Sequence, residues 1–309
     1  MNIIKGDGIV QGSKGILLES GTNELEIIEF ELGNNRFGIN VIKVKEIIQP
    51  IPVTSVPHAH PHVEGIIQLR GEVLPVVNLY KALGLTTAPH DPQEKFIVAE
   101  FNKQMVVFHV GNVTQIHRFS WQQIEKPSDM YQGGSSQIIG VIKFNNDMIL
   151  LLDFEKIMVD INPESGIRMD EVKKLGKRER SEKKIIVAED SPLLRQLLAD
   201  TLSEAGYDNL EFFENGQEAY QYLENEVQEG TIEDHVHLVI TDIEMPQMDG
   251  HHFTKKIKTH PVLEKLPVVI FSSLITDDLR HKGNQVGAIE QISKPDIAEL
   301  ILKIDTHIL

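Results

Sequence analysis

Four apolar runs in the 309-residue sequence end in residues able to do chemistry. Ile185-Ile186-Val187-Ala188 runs into Glu189-Asp190, and Leu238-Val239-Ile240 runs through Thr241 into Asp242. Val268-Val269-Ile270-Phe271 runs into Ser272-Ser273, and the run from Ala288 to Ile292 ends in Ser293-Lys294-Pro295. Short continuous apolar runs are expected of parallel strands covered on both faces. The carboxyl edge of such a sheet borders the crevice in which open α/β sheets place their ligands. One acid at a strand end is most often only the cap of the following helix. An acidic pair, a nucleophile-type carboxylate, a hydroxyl and a lysine at one sheet edge form a far more specific pattern.

The intervening segments have the punctuation that this sheet needs. Ser191 is a natural N-cap and Pro192 a natural first helical residue. Leu193, Leu194, Leu197, Leu198, Thr201 and Leu202 recur at helical spacing up to Gly206. A short strand is expected at Leu210–Phe213 and a helix from about Gly216 to Glu226. Pro246 stiffens the turn after Asp242, Gly250 frees it, and a helix follows from about His251. Five strands alternating with about five helices from Lys183 onward predict a doubly wound, five-stranded parallel sheet of flavodoxin-like order.

The first half follows another period. From Leu25, Ile28, Phe30 and Leu32 alternate with Glu29 and Glu31, and a turn at Gly33-Asn34-Asn35 starts the return strand. Val41, Val44, Ile47 and Ile48 follow helical spacing and predict about two helical turns ended by Pro50 and Pro52. Val63 to Leu79 reads as two strands around an Arg70-Gly71 turn. Further strands are expected at Phe96–Phe101, Met105–Val110, Val113–Arg118, Ile138–Lys143 and Met148–Leu152. Many short strands at such spacing indicate one or two small antiparallel barrels. Residues 24–163 contain no nucleophile–base pair, phosphate loop or paired carboxylates, so this half reads as a binding domain. His58, His60 and His62 would share one face of an extended segment and raise a metal hypothesis. Solvated histidines on a Pro-stiffened loop explain them more simply, because no fourth ligand stands nearby. Residues 1–23 read as an N-terminal arm. Residues 164–182, almost entirely charged from Asp170 onward, read as a linker able to form a solvated helix.

Composition excludes several classes. The chain has no cysteine, hence no disulfide, zinc–thiolate site or cysteine nucleophile. No apolar run approaches the ~20 residues of a membrane span, and the N-terminus lacks a signal-peptide pattern, which predicts a cytoplasmic protein without membrane insertion. The net charge of -16 argues against nucleic acid as a partner. It is uneven: residues 1–182 hold 19 Lys+Arg and 23 Asp+Glu, a net of -4, whereas residues 183–309 hold 11 and 23, a net of -12.

Two resemblances follow. The pattern Phe37-Gly38-Ile39, Val44-Lys45-Glu46-Ile47 and Gly65-Ile66-Ile67-Gln68-Leu69-Arg70-Gly71-Glu72-Val73-Leu74-Pro75-Val76-Val77-Asn78-Leu79 resembles the CheW coupling domain over residues 24–163. The resemblance implies a pair of SH3-like barrels that bridge methyl-accepting chemoreceptors and a chemotaxis histidine kinase, with Arg70 in partner binding. Gln68 stands where the family has Asn. Residues 183–309 resemble a response-regulator receiver domain, whose functional positions match Glu189, Asp190, Asp242, Ser272, Lys294 and Pro295. That resemblance implies Asp242 as phosphoacceptor, with an acyl phosphate formed on its carboxylate. It implies Mg²⁺ held by Asp190, Asp242 and the Glu244 backbone carbonyl, with Glu189 binding through water. Lys294 would pair with the phosphoryl group and Ser272 would hydrogen-bond it. A cis bond before Pro295 is a further expectation from the family.

There are departures. The family's switch aromatic falls at Gln291, so signalling is expected from the surface around Leu274, Ile275 and Ile292. Glu244 stands two residues after Asp242, where an acid could disturb an attacking water. In this order the halves resemble the CheV chemotaxis adaptors, working at receptor arrays on the inner face of the membrane, and no output domain is expected after Leu309. An aspartyl-phosphate phosphatase or phosphotransferase is the competing class. Its Asp-x-Asp signature belongs on a first strand, whereas Asp242 lies on the third.

Overall fold

The computed structural model describes residues 23–86, 92–127, 137–176, 178–229 and 232–308. The predicted N-terminal arm, Asn23 apart, lies outside them.

The first half forms two sheets. The six-stranded sheet runs β8 (Asn112–Ser120), β1 (Glu24–Leu32), β2 (Asn35–Asn40), β11 (Asp147–Leu152), β10 (Ile138–Phe144) and β9 (Ile124–Glu125). The five-stranded sheet runs β3 (Val44–Ile48), β6 (Lys95–Phe101), β7 (Gln104–Val110), β5 (Glu72–Asn78) and β4 (Val63–Leu69). Neighbours are antiparallel except β11 with β2 and β5 with β7. One core joins the sheets through Phe30, Phe37, Leu79, Phe101 and Phe108, closed by Phe154 of helix α2 (Phe154–Ile161). Helix α1 (Leu79–Ala82) follows β5 directly.

The helix expected over Val41–Ile48 is not formed. Val41–Lys43 is a single 3₁₀ turn, and Val44–Ile48 pairs antiparallel with β6. Apolar positions at i, i+3 and i+4 fit a helix, but Val44, Ile47 and Ile48 are β-branched and the edge of β6 is available to them. The charged segment after residue 163 is also not a free solvated helix. Helix α3 (Met169–Lys173) buries Val172, and Ile167 before it is buried too, both in the core of the second half. Arg178 donates to the Ala205 carbonyl and pairs with Asp305, which ties the segment down further.

The second half is a parallel sheet in the order β13 (Leu210–Phe213), β12 (Ile185–Ala188), β14 (Leu238–Thr241), β15 (Val268–Ser272) and β16 (Glu290–Ser293). Alternate residues of β12 face opposite cores. Ile185 and Val187 meet helices α4 (Pro192–Glu204) and α9 (Ile297–Ile308), and Ile186 and Ala188 meet α5 (Gly216–Glu229) and α7 (Gly250–Thr259). Helices α6 (Ile232–His235) and α8 (Asp277–Val286) complete the layers. Gly206, at φ +95°, ends the turn after α4, as its lack of a Cβ permits. Among the described residues no helix is long and apolar enough to cross a membrane.

Candidate functional site

The parallel register brings four strand ends to one edge in two level pairs, with Thr241 opposite Ile270, so that β15 and β16 run two residues further than β12 and β14. Ala188 pairs with Thr241, and Ser272 with Ser293, so the residues that follow these strands open onto one edge. The Asp242 amide donates to the Ala188 carbonyl at 2.9 Å, and the Lys294 amide donates to the Ser272 carbonyl at 3.0 Å. The Ile243 amide donates to Asp242 Oδ1 at 2.6 Å, which orients that carboxylate. Gly250 packs against this loop, where an added Cβ would lie 1.9 Å from the Asp242 carbonyl oxygen. The Lys294–Pro295 bond is cis.

Glu189, Asp190 and Asp242 each present a carboxylate oxygen within 4.8 Å of the other two. Lys294, almost fully buried, places Nζ 2.8 Å from Glu189 Oε2 and 3.1 Å from Asp242 Oδ2. Burial pushes the Glu189 carboxyl up to about 8, with Asp242 and Glu155 adding to the rise and Lys294 opposing it. Burial likewise raises Asp190, and the neighbouring Glu189 and Asp242 charges raise it further. Lys294 is held well above its ordinary value, because Asp242, Glu155 and Glu189 outweigh the effect of burial. One ammonium among this many carboxylates leaves the cluster short of positive charge. Asp190 Oδ2 is buried without a hydrogen-bond partner. A buried all-oxygen donor set with an unpartnered oxygen suits a hard divalent cation such as Mg²⁺.

The remaining expected residues are placed as follows. Ser272 is fully buried at the end of β15, and its Oγ accepts from the Leu274 amide at 3.2 Å. Ser191 sits at the N-cap position of α4 but does not cap it with its side chain. Its Oγ donates instead to Asp153 Oδ2 at 2.8 Å, across to the first half. Glu244 also turns to the first half, accepting from Asn40 Nδ2 at 2.7 Å and pairing with Lys43. Gln291 is buried, and its Nε2 donates to the Arg280 carbonyl and to Asn284 Oδ1, both at 2.8 Å. Arg70 is not among the residues at this edge. It lies in the β4–β5 turn at φ +50°, its side chain 78% exposed and 2.8 Å from Glu46. His58, His60 and His62 do not form an extended row. His58 has φ +59°, and the His60 ring accepts from the His62 amide. Among the described residues only Glu189, Asp190 and Asp242 group as metal ligands.

Sequence reasoning missed the cover over this edge. Glu155 at the start of α2 accepts from Ser273 Oγ, and its Oε2 lies 3.4 Å from Lys294 Nζ. Lys43, whose Nζ lies 3.9 Å from Glu155 Oε1, bridges Glu155 and Glu244. Lys43 is held above its ordinary value, because burial is outweighed by the Glu244 and Glu155 charges. Backbone contacts extend the seam. The Gln247 amide donates to the Trp121 carbonyl and the Asp249 amide to Asn23 Oδ1, each at 2.9 Å. The one sequence signal for Glu155 was an acid on either side of Phe154, just past the last strand of its half.

Residues 26–162 match the CheW-like domain family, and residues 185–305 match the response regulator receiver domain family. The chemotaxis protein CheV3 of Helicobacter pylori is 28% identical over 302 residues, covering 91% of this chain and 95% of that protein. The chain belongs to the CheV-type chemotaxis proteins. The order of the two halves is therefore that of the CheV type, a CheW-like domain followed by a receiver. The chemotaxis protein CheW of Thermotoga maritima matches the first half alone, at 31% identity over 48% of this chain and 98% of that protein. The scaffolding protein TtCheW from Thermoanaerobacter tengcongensis is similar to the same half, at 25% identity over 41% of this chain and 88% of that chain, with a TM-score of 0.39. The chain is a CheV-type coupling adaptor with a receiver domain.

Proposed function

We propose that this adaptor couples chemoreceptors to a chemotaxis histidine kinase and is tuned by phosphorylation at Asp242. In this reading residues 24–163 are the coupling domain, residues 183–309 the receiver and residues 164–182 the segment between them. The observation that carries it is the convergence of the Glu189, Asp190 and Asp242 oxygens within 4.8 Å, beside the buried Lys294 ammonium, in a receiver joined to a CheW-like domain.

Asp242 Oδ2 attacks the phosphorus of the kinase phosphohistidine, the phosphorus–nitrogen bond breaks, and an acyl phosphate forms on Asp242. The imidazole leaves on the kinase. Asp190, Asp242 and the Glu244 carbonyl would hold Mg²⁺, with Glu189 binding through water. There it would neutralise the crowded acids and the charge of an incoming phosphoryl group. Lys294 pairs with the phosphoryl oxygens and Ser272 donates a hydrogen bond to them. Arg70, exposed on its tight turn, offers a bidentate donor to a partner carboxylate. Phosphate drawn to Asp242 serves adaptation or acts as a sink, and the adaptor sits with the receptors at the inner face of the membrane.

The test is labelling. Full-length protein mixed with phosphorylated kinase and Mg²⁺ acquires an acid-stable, base-labile phosphoryl group. Asp242→Asn remains folded and loses the label. Stoichiometric labelling of that variant would move the acceptor elsewhere.

A further inference from the structure

The two halves meet over the proposed phosphoacceptor, and the part of the contact that reaches the acid cluster comes from one helix start. In Asp153-Phe154-Glu155 the aromatic ring belongs to the first half. It stacks on Phe101 at 5.5 Å and packs on Phe108 at 4.9 Å. That anchor leaves the two flanking acids facing the receiver. Asp153 takes the Ser191 hydroxyl beside Asp190. Glu155 takes the Ser273 hydroxyl and reaches Lys294 at 3.4 Å.

Lys294 Nζ is thus shared by Glu155, Glu189 and Asp242, at 3.4, 2.8 and 3.1 Å. An ammonium has three donors, and three carboxylates take them. A phosphoryl group on Asp242 brings close to two negative charges and three strong acceptor oxygens to the same ammonium. A carboxylate and a phosphoryl group are both oxyanions, and they need the same place beside Lys294. We infer that Glu155 is an internal stand-in for the phosphoryl group, so that docking of the two halves and phosphorylation of Asp242 exclude one another. This deepens the phosphoacceptor reading of Asp242 and rests on it.

Two further observations support the inference. Glu155 has a place to go when displaced, because Lys43 of its own half already lies 3.9 Å from its Oε1. On its other side the acid cluster borders a cleft through Asp190. A cleft of about 420 Å³ between the halves, lined by Lys126, Asp153, Lys156, Asp190 and Arg195, leads to Asp190. Glu155 therefore obstructs the phosphoryl position while Asp190 borders the cleft, with Glu189 and Asp242 buried behind it. Displacing Glu155 weakens the seam that α2 anchors, and by linkage whatever loosens the seam favours the phosphoryl group equally.

Amide exchange of the full chain reads the seam directly, because the Gln247 and Asp249 amides donate across it. Beryllofluoride with Mg²⁺ stands in for the phosphoryl group. In the wild type it is expected to speed exchange of both amides about tenfold, within the usual range of coupling between sites. Glu155→Gln is expected to speed the same exchange with nothing added and to raise labelling of Asp242 by acetyl phosphate about tenfold. Ser273→Ala, which removes only the hydroxyl on Glu155, shifts both readouts in the same direction by less. Unchanged exchange with beryllofluoride, or equal labelling of wild type and Glu155→Gln, overturns the stand-in while leaving Asp242 as acceptor. Absence of label from both proteins overturns the acceptor reading and the stand-in with it.

Discussion

The pairing of Lys43 with Glu244 is a buried charge contact across the seam, and its strength can be worked from the structure. The two side chains are only 10% and 14% exposed. Removing one partner of a buried, hydrogen-bonded ion pair costs about 2–5 kcal/mol, because the other charge is left stranded. Here neither acid is left bare. Glu244 keeps the Asn40 amide, and Glu155 keeps Lys294 and Ser273. The lower end of the range applies, about 2–3 kcal/mol for Lys43→Met. Methionine retains the apolar packing beside Phe101, whose ring centre lies 4.8 Å from the lysine nitrogen. Separating the halves returns Glu244 to water, so the cost falls on docking and not on unfolding. A destabilisation of about 2–3 kcal/mol corresponds to roughly 30- to 150-fold faster exchange of the Gln247 and Asp249 amides under conditions that report the opening equilibrium. Glu244→Met alone leaves Lys43 with only the longer contact to Glu155, at 3.9 Å. The double variant leaves no charge of this pair stranded and should open less than the sum of the single variants by at least about 1 kcal/mol. A coupling within about 0.5 kcal/mol of zero, or unchanged exchange in Lys43→Met, would refute the reasoning.

Three other outcomes are expected. Arg70→Ala removes an exposed pair worth about 0–1 kcal/mol, so the melting temperature shifts by less than about 4 °C while binding to receptor or kinase weakens. Wild-type coupling by that variant would place the interface away from the β4–β5 turn. Gly250→Ala drives a Cβ to 1.9 Å from the Asp242 carbonyl oxygen, so the loop must shift. Stability should fall by about 1–3 kcal/mol with slower labelling of Asp242, and a variant with neither change would disprove that close packing. His109 lies 3.0 Å from Glu64 in the first half. Burial works against both charges, yet their mutual hydrogen bond holds His109 above its ordinary 6.5 and Glu64 below its ordinary 4.5. The histidine's contribution is complete below pH 6.5 and is lost as pH rises through its raised folded value. The carboxylate's contribution is complete above pH 4.5 and is lost as pH falls through its depressed folded value. The stability gap between wild type and Glu64→Gln should therefore be widest between pH 4.5 and 6.5 and should narrow on either side. A pH-independent gap in thermal melts would show that the pair contributes no linkage.

The acidic edge was legible in the sequence, because everything that builds it is local. A buried parallel strand is a short apolar run, and the residue after it falls at the carboxyl edge whatever the rest of the chain does. Glu189, Asp190, Asp242, Ser272 and Lys294 could be placed at one edge on that ground, and the parallel register brings their strand ends to that edge within two residues of one another. The alternating strands of the first half were legible for a similar reason. Val41–Ile48 was not. Its spacing suits a helix, and only the free edge of β6 decided that it would pair as a strand. Nor could any local pattern show that Asn40, Lys43, Asp153 and Glu155 would turn toward the second half. Each is an ordinary polar residue on a turn or helix start, and its partner lies between 38 and 204 positions away. Period and spacing record which face of an element is buried. They carry no information about which surface of one folded half will meet the other, because that depends on the assembled shape and charge of both.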